Sequence, residues 1–350
     1  MVSLDLIHAS NAQLRELGPG LVALFVGGTS GIGEYTLKAF VQNTISPRVY
    51  LIGRSAPAAE RIIQECQILN KDGKVEFLPA NVSELGEVDR VCKEIMKKES
   101  KINLLVQSQG NMAMSGRDES HEGIDKKMSL SYYSRMRFIN NLLPLLTTAS
   151  TTAPHFSRSL SILSAGWEST INLSDLELKK SFSLGKCADH TITMNSLMTT
   201  EFAKRNTGTS FVHSYPSSVN TGLSREMPFW ARTLVKIATP LFKPFFVGND
   251  ETGARQLFLA TSGIYPPLKT GMGFSAGMKR PKGMEVAMGT DGVVGSGGYL
   301  GNWTGAPAVR KQVLAKYMEN GVSGVVWDHT MGIFERVEKV NAERIKKVEV

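Results

Sequence analysis

A glycine-rich turn near the N-terminus has the residue types and spacing of a phosphate-binding loop. The segment GGTSGIG follows the apolar run LVALFVG and precedes a helical pattern. Glycines let the backbone turn sharply and approach a pyrophosphate, while the helix N-terminus offers unpaired N–H groups and a positive dipole end. The turn predicts a dinucleotide site; a tight strand-to-helix turn without a ligand is the alternative. The residues expected to hold the nucleotide are Gly27, Thr29, Ser30, Gly31, Ile32 and Gly33.

The end of the next predicted strand indicates which dinucleotide is preferred. In NAD-binding folds an acidic residue about twenty positions after the glycines bonds the ribose 2′-hydroxyl. Here the segment LIGRS places Arg54 at that point. Because a guanidinium pairs with a 2′-phosphate, the sequence favours NADP(H); a plain surface arginine is the alternative. Asn81, after the third predicted strand, is expected either to meet the adenine edge or to form a simple turn.

Short apolar runs alternate with helix-length segments over residues 1–215. In one such segment, 87–100, apolar residues recur at i, i+3, i+4, i+7 and i+8, which is typical of an amphipathic helix. Apolar strands separated by helices predict an α/β fold: a doubly wound, Rossmann-like parallel sheet with helices on both faces. The predicted strands are 21–27, 48–53, 74–79, 102–108, 157–164 and 209–216.

The pattern changes after residue 216. Segment 227–246 is aromatic, apolar and interrupted by prolines, so we expect either a packed helical excursion or a lid over an apolar substrate. A glycine-rich stretch, 270–306, indicates irregular structure with one strand at most, and a helical segment, 306–345, closes the chain. We expect one domain, 1–350, made of a nucleotide-binding core (1–215), a lid (216–250) and a C-terminal part (251–350).

Composition excludes several classes of protein. The chain has 350 residues, 42% of them hydrophobic, which argues against disorder. Its charge of +8 is spread without a run of five like charges, so we expect a solvated basic surface or attraction of phosphate-bearing ligands rather than nucleic-acid binding. Cys66, Cys92 and Cys187 lack metal-ligand spacing, so no metal site is expected. The absence of an apolar leader or a membrane-length run favours a cytoplasmic protein.

Several motifs together resemble the short-chain dehydrogenase/reductase family over nearly the whole chain. They are the glycine turn, the segment SQG at 108–110, Ser164 at the end of the fifth predicted strand, and the lysine of FSLGK. The segments SYYSRMRFINNLLPLL and YPSSVNTG are similar to fungal members of secondary-metabolite pathways. The resemblance implies a Rossmann fold, a nicotinamide cofactor and a lipophilic biosynthetic intermediate as substrate. It also implies cofactor contacts from Gly110, Lys186, Pro216 and Thr221.

In the family, a serine orients the carbonyl, a tyrosine transfers the proton, a lysine assists the tyrosine and holds the ribose, and a helical asparagine completes a relay. Ser164 and Lys186 match the serine and the lysine. Phe182 occupies the tyrosine position and Ser131 the asparagine position. A phenyl ring can neither donate nor accept a proton, and general acid–base catalysis contributes about 10²–10⁴-fold. The usual proton transfer is therefore altered.

Three explanations of Phe182 remain open from the sequence. Another group could supply the proton, with Tyr132, Tyr133, Tyr215 and His190 as candidates that are more typical of core residues. The pocket could instead perform redox-neutral chemistry such as cyclisation, isomerisation, dehydration or a pericyclic step, with NADP(H) as a non-redox or vestigial ligand. An engineered replacement of tyrosine is the third explanation.

The functional hypothesis is an NADP(H)-binding enzyme acting on a hydrophobic carbonyl or alcohol, with rerouted proton transfer. The alternatives are a redox-neutral enzyme on the same scaffold and a non-catalytic nucleotide-binding protein. Ser217 replaces a glycine common near the nicotinamide in the family, so the adenosine half of the site is the better defined. Family members often pair through two long helices, here near 122–149 and 182–206, so a homodimer is a further hypothesis.

Overall fold

The computed structural model describes residues 1–111, 113–217, 247–268 and 278–348. Within these ranges seven strands form one parallel sheet in the order β3-β2-β1-β4-β5-β6-β7. This order confirms the predicted doubly wound sheet, and six of the strands coincide with the six predicted ones. The strands are β1 (Val22–Val26), β2 (Arg48–Gly53), β3 (Lys74–Pro79), β4 (Leu104–Gln107), β5 (Arg158–Ile162), β6 (Ser210–Tyr215) and β7 (Gly298–Asn302).

The central strands are apolar because helices cover both faces of the sheet. Every residue of β1, β4 and β5 is buried, as expected for a parallel sheet between two helical layers. Val26, the last residue of β1, pairs with Ile52 on one side and Gln107 on the other. From β1 the strand order runs to β2 and β3 on one side of the sheet and to β4, β5, β6 and β7 on the other. The loops that leave β1 and β4 therefore flank a crevice at the carboxyl ends of these strands.

The helices fill the connections between strands. They are α1 (Leu4–Ala12), α2 (Gly31–Asn43), α3 (Ala56–Leu69), α4 (Leu85–Lys98), α5 (Lys126–Met128), α6 (Ser134–Thr151), α7 (Leu184–Arg205), α8 (Asn249–Thr261), α9 (Gln312–Glu319) and α10 (Val322–Val348). A π-helical turn, Ser129–Tyr133, joins α5 to α6. In the described ranges, none of the helices combines the length and the apolar character needed to cross a bilayer.

Two helix boundaries differ from the sequence-based expectation. The helix expected near 122–149 contains the π-turn, and the helix expected from 182 begins at Leu184. The second difference has a local cause. Ser183 has extended backbone and its hydroxyl accepts a hydrogen bond from the N–H of Lys186 at 3.2 Å, so it caps α7. Phe182 consequently precedes the helix instead of lying on it.

Helix α10 packs across the outer surface of α6 and α7. Tyr132 Oη bonds Thr330 Oγ1 at 2.6 Å, and Arg137 donates to Glu338 at 2.6 Å. Trp327 packs against Phe202 of α7, with ring centres 5.2 Å apart. Helix α10 therefore covers part of the surface of α6 and α7, the two helices through which a homodimer is predicted to form. The homodimer stays a prediction.

Candidate functional site

A cavity of about 630 Å³ lies at the carboxyl ends of β1 to β4, at the reversal of the strand order. Its size falls within the range of small-molecule and cofactor sites, about 300–1,000 Å³. Eight of the residues predicted to bind the cofactor line this cavity. They are Gly27, Thr29, Ser30, Ile32, Gly33, Arg54, Asn81 and Gly110. Gly31 begins α2 within the same loop.

The glycine turn is packed tightly against the end of β4. A Cβ atom on Gly27 would lie 2.6 Å from the backbone nitrogen of Gln109, and the φ angle of Gly27 is +79°. A Cβ atom on Gly33 would lie 2.2 Å from Ser108 Oγ. Ser30 precedes α2 without a side-chain cap, so the first N–H groups of this 13-residue helix remain to bind an anion. The turn therefore has the form of a phosphate cradle.

Two unsatisfied acceptors in the cavity wall fit a nucleotide. Gln109 Oε1 and Asn111 Oδ1 are buried without a hydrogen-bond partner among the described residues, and both residues line the cavity. Buried acceptors are normally paired, so these two oxygens call for donors on a ligand. Ribose hydroxyl groups are such donors. The sequence motif SQG indicates this segment but not the role of these side chains, because only the folded chain shows which polar atoms lack partners.

The adenosine end of the cavity is positively charged or neutral. Arg54, Ser55, Ala56 and Pro57 form this part of the wall, and none of the described residues that line the cavity is acidic. The side chain of Asn81 is turned into its own loop, since its Oδ1 accepts from the Ser83 hydroxyl at 2.9 Å. Asn81 is therefore a turn residue that also lies on the cavity wall, and both of its sequence-based interpretations remain compatible with the structure.

The residues matched to the catalytic positions lie outside the wall of this cavity. Ser164 follows β5, is half-buried, and donates its backbone N–H to His213 Nε2 at 3.3 Å. Lys186 lies exposed in the first turn of α7. Phe182 is half-buried, and the ammonium of Lys127 stands 5.4 Å from the centre of its ring. Thr221 and segment 218–246 of the predicted lid lie outside the described residues.

Ser131 lies in the π-turn, where the wider turn shifts the helical hydrogen-bond pattern by one residue. Its carbonyl accepts a hydrogen bond from Asn195 Nδ2 at 2.8 Å. Asn195 Oδ1 in turn accepts from Ser161 Oγ at 3.0 Å, and Ser161 Oγ accepts from Arg135 at 2.9 Å. The backbone at the asparagine position is thus bonded to the neighbouring helix α7.

Arg135 is a buried cation beneath the ends of β4 and β5. It is 1% exposed and donates to the carbonyl oxygens of Gln107, Gln109, Leu130 and Ile162. Burial lowers the pKa of its guanidinium to about 9. Since Gln109 and Leu130 line the cavity, Arg135 holds two segments of the wall in place. The sequence gives no signal for this role.

The alternative proton donors are mostly structural. Tyr132 and Tyr133 are buried and bond Thr330 and His329 of α10, and burial raises the pKa of both phenols. His190 is also buried; its Nε2 accepts from the N–H of Asn172 at 3.0 Å. Burial lowers the pKa of the His190 imidazole. Tyr215, at the end of β6, instead packs against Trp167.

Comparison with known proteins identifies the family. The family model described as short chain dehydrogenase matches residues 21–153. An oxidoreductase of Emericella nidulans is 41% identical over 342 residues, covering 96% of this chain and 99% of that protein. An oxidoreductase of Emericella variicolor is 34% identical over 337 residues, covering 96% and 98%. This chain belongs to the short-chain dehydrogenase family and is an enzyme of the dehydrogenase/reductase type.

Solved structures show the same fold. The active-site complex of Pseudomonas aeruginosa RhlG with NADP superimposes with a TM-score of 0.53, at 18% identity, and covers 71% of this chain and 91% of that chain. At this level of identity the likeness concerns the fold alone. It agrees with the parallel Rossmann-like sheet described above.

Proposed function

We propose that this enzyme binds NADP(H) and acts on a carbonyl or alcohol group of a hydrophobic biosynthetic intermediate. The observation that carries the proposal is the cavity at the switch point of the sheet, which joins the glycine cradle to Arg54; none of the lining residues in the described part of the chain is acidic. The orphan acceptors of Gln109 and Asn111 fit ribose hydroxyl groups, and Arg54 suits a 2′-phosphate. The similarity to fungal oxidoreductases supports the same reaction class.

In this proposal the chain's own residues orient the substrate and manage its proton. The nicotinamide cofactor, when bound, donates or accepts the hydride. Ser164 donates a hydrogen bond to the substrate oxygen, and Lys186, with Pro216 and Thr221, holds the nicotinamide half. Phe182 carries no transferable proton, so the proton reaches the substrate oxygen from elsewhere. The first charged side chain that follows Phe182 in the sequence is that of Lys186, and it is exposed.

The remaining assignments belong to the same proposal. The chain forms one domain, and the surface of Phe182 contributes an apolar contact to the substrate. Two chains pair as a homodimer in this proposal. Light scattering measures the molecular mass in solution and tests the homodimer directly. The mass of a monomer would contradict the homodimer and would leave the proposed nucleotide site unaffected.

Substitution of Phe182 by tyrosine tests the hydride-transfer proposal. NADPH oxidation is followed by absorbance with a panel of lipophilic carbonyl compounds, while calorimetry measures NADPH binding. We expect Phe182→Tyr to raise the turnover rate by about 10²-fold, since it restores a group able to donate the proton. The matched control Phe182→Leu adds no donor and should give no increase. Absence of NADPH binding and of oxidation in all three proteins would overturn the proposal.

A redox-neutral enzyme on the same scaffold is the second candidate. Two observations favour it: the Phe182 ring packs against the Lys127 cation, and the Ser131 carbonyl is bonded to Asn195. The residues at the tyrosine and asparagine positions of the family's proton relay are therefore engaged in contacts with other side chains of the protein. Mass spectrometry of the product distinguishes the two candidates. A product isomeric with its substrate, or one water lighter, formed without NADPH consumption would establish the redox-neutral reaction.

A further inference from the structure

The turn after β5 presents a tryptophan to solvent. Trp167 is 62% exposed, although an indole carries a large apolar surface that proteins usually bury. Its ring meets the ring of Tyr215 edge-on, with centres 6.1 Å apart and planes at 62°. Ser164 lies three residues before Trp167, just after β5, and Tyr215 ends β6. The two aromatic side chains therefore form an exposed surface at the sheet edge where Ser164 is located.

The backbone around Trp167 is firmly held. The N–H of Trp167 donates to the carbonyl of Ser164 at 3.2 Å, and the N–H of Gly166 donates to Glu168 Oε1 at 3.0 Å. The N–H of Ser169 donates to Thr193 Oγ1 of α7 at 2.9 Å. Since the turn is bonded on both sides of Trp167, the exposure of the indole is a fixed feature of the fold and not the result of a fraying loop.

A buried chain of polar groups supports this turn from below. His213 Nε2 accepts the N–H of Ser164, so the ring proton resides on Nδ1, which donates to Ser196 Oγ at 2.8 Å. The Ser196 hydroxyl then donates to Glu168 Oε1 at 2.7 Å. Burial lowers the pKa of His213 to about 3, so the ring stays neutral and the chain keeps this direction at physiological pH.

We propose that Trp167 and Tyr215 form the wall on which a planar, conjugated ring of the substrate stacks, with its carbonyl directed to Ser164. The inference deepens the proposed function and rests on it for the role of Ser164. Stacking is favoured because both rings are uncharged and the indole of Trp167 is 62% exposed. A prebuilt aromatic surface also loses little conformational freedom when a ligand binds. A flat ring contacts such a face over a larger area than a saturated, bulky ring.

Two diketones of different shape test this wall. 9,10-Phenanthrenequinone is planar and conjugated, whereas camphorquinone carries the same pair of carbonyl groups on a bulky saturated frame. Binding of each is measured by calorimetry to the protein saturated with NADP⁺, which carries no hydride and prevents turnover. We expect Trp167→Ala to weaken phenanthrenequinone binding about 10-fold and to leave camphorquinone binding nearly unchanged. Trp167→Phe keeps a ring and should weaken phenanthrenequinone binding no more than about three-fold.

Two controls separate loss of the wall from general damage. Ile68 is 80% exposed on α3, so Ile68→Ala removes a comparable exposed apolar side chain elsewhere and should leave both affinities unchanged. The affinity for NADP⁺ and the melting temperature should also be unchanged in Trp167→Ala.

Equal weakening of both diketones, an unchanged phenanthrenequinone affinity in Trp167→Ala, or no phenanthrenequinone binding by the parent protein would overturn the inference. NADP⁺ binding in the same samples would leave the proposed function standing. If NADP⁺ itself does not bind, the proposed function fails. The same two diketones are then titrated into the protein without nucleotide, and a selective loss of phenanthrenequinone binding in Trp167→Ala still decides whether the aromatic wall exists.

Discussion

Replacing Gly27 by alanine should destabilise the protein and abolish nucleotide binding. The new Cβ atom would lie 2.6 Å from Gln109 N, 2.8 Å from Gln109 Cα and 2.9 Å from the Ser108 carbonyl carbon. All three are backbone atoms at the end of β4, so no side-chain rotation relieves the overlap. Backbone displacement costs about 1–3 kcal/mol, and the left-handed φ of +79° adds about 1–2 kcal/mol for alanine. We expect the free energy of unfolding to fall by about 2–5 kcal/mol.

A matched glycine separates overlap from backbone strain. Gly123 has a φ of +71° and no atom within 4 Å of the position of a Cβ, so Gly123→Ala should lose only about 1–2 kcal/mol. Urea unfolding gives both free energies, and calorimetry gives the affinity for NADPH. Because Gln109 lines the cavity, displacement of β4 in Gly27→Ala should also remove NADPH binding. If Gly27→Ala is no more destabilising than Gly123→Ala and binds NADPH normally, the cradle geometry is wrong.

Two further predictions concern buried side chains. Tyr132→Phe and Tyr133→Phe should each lower the free energy of unfolding by about 1–2 kcal/mol, because their hydroxyls bond α10, without changing NADPH affinity or turnover; a large loss of turnover at unchanged stability would restore a tyrosine as proton donor. Burial lowers the pKa of His213 from 6.5 to about 3, so below pH 6.5 the unfolded chain binds a proton that the folded chain does not, and stability falls as pH falls. This residue should account for about 2 kcal/mol of stability lost between pH 8 and pH 5, measured by urea unfolding at both pH values. In His213→Gln, the free energy of unfolding should fall by about 2 kcal/mol less between pH 8 and pH 5 than in the parent protein. An identical pH dependence in parent and variant would contradict the reasoning.

The sheet and the cradle could be predicted because their determinants are local. β1 is apolar along its whole length since both of its faces are covered, and such a run is visible in the sequence. The turn after β1 needs glycine at Gly27, where φ is positive and the backbone of Gln109 approaches closely. The residue type at such a position thus predicts the local backbone conformation. The place of the cavity then follows from the order of the strands in the sheet.

The polar interior could not be predicted because its determinants are distant in the chain. Arg135 lies in a helical segment where a charge usually indicates an exposed face, yet carbonyl groups from β4 and β5 surround it. Tyr132 meets its partner Thr330 across 198 residues of sequence. The turn at Ser131 has a π-helical hydrogen-bond pattern that residue spacing does not encode. These contacts exist only after the elements have packed.

The position of Phe182 shows both the reach and the limit of sequence reasoning. The residue type alone predicts that the usual proton donor is missing, because a phenyl ring carries no transferable proton. The start of α7, however, depends on the Ser183 cap, and the position of the Lys127 ammonium against the Phe182 ring depends on a helix from another part of the chain. The identity of residue 182 therefore predicts which chemical group is missing, whereas the packing of distant segments decides which side chains surround this position.

The proposed function depends on NADP(H) binding through Arg54 in the cavity beside the glycine turn. Calorimetric titration of the parent protein with NADPH and NADH, repeated with Arg54→Asp, tests it most directly. We expect the parent to bind NADPH at least about 10-fold more tightly than NADH, and Arg54→Asp to reverse this preference because a carboxylate repels the 2′-phosphate and bonds the 2′-hydroxyl. No binding of either nucleotide, or equal affinities unaffected by the substitution, would contradict it.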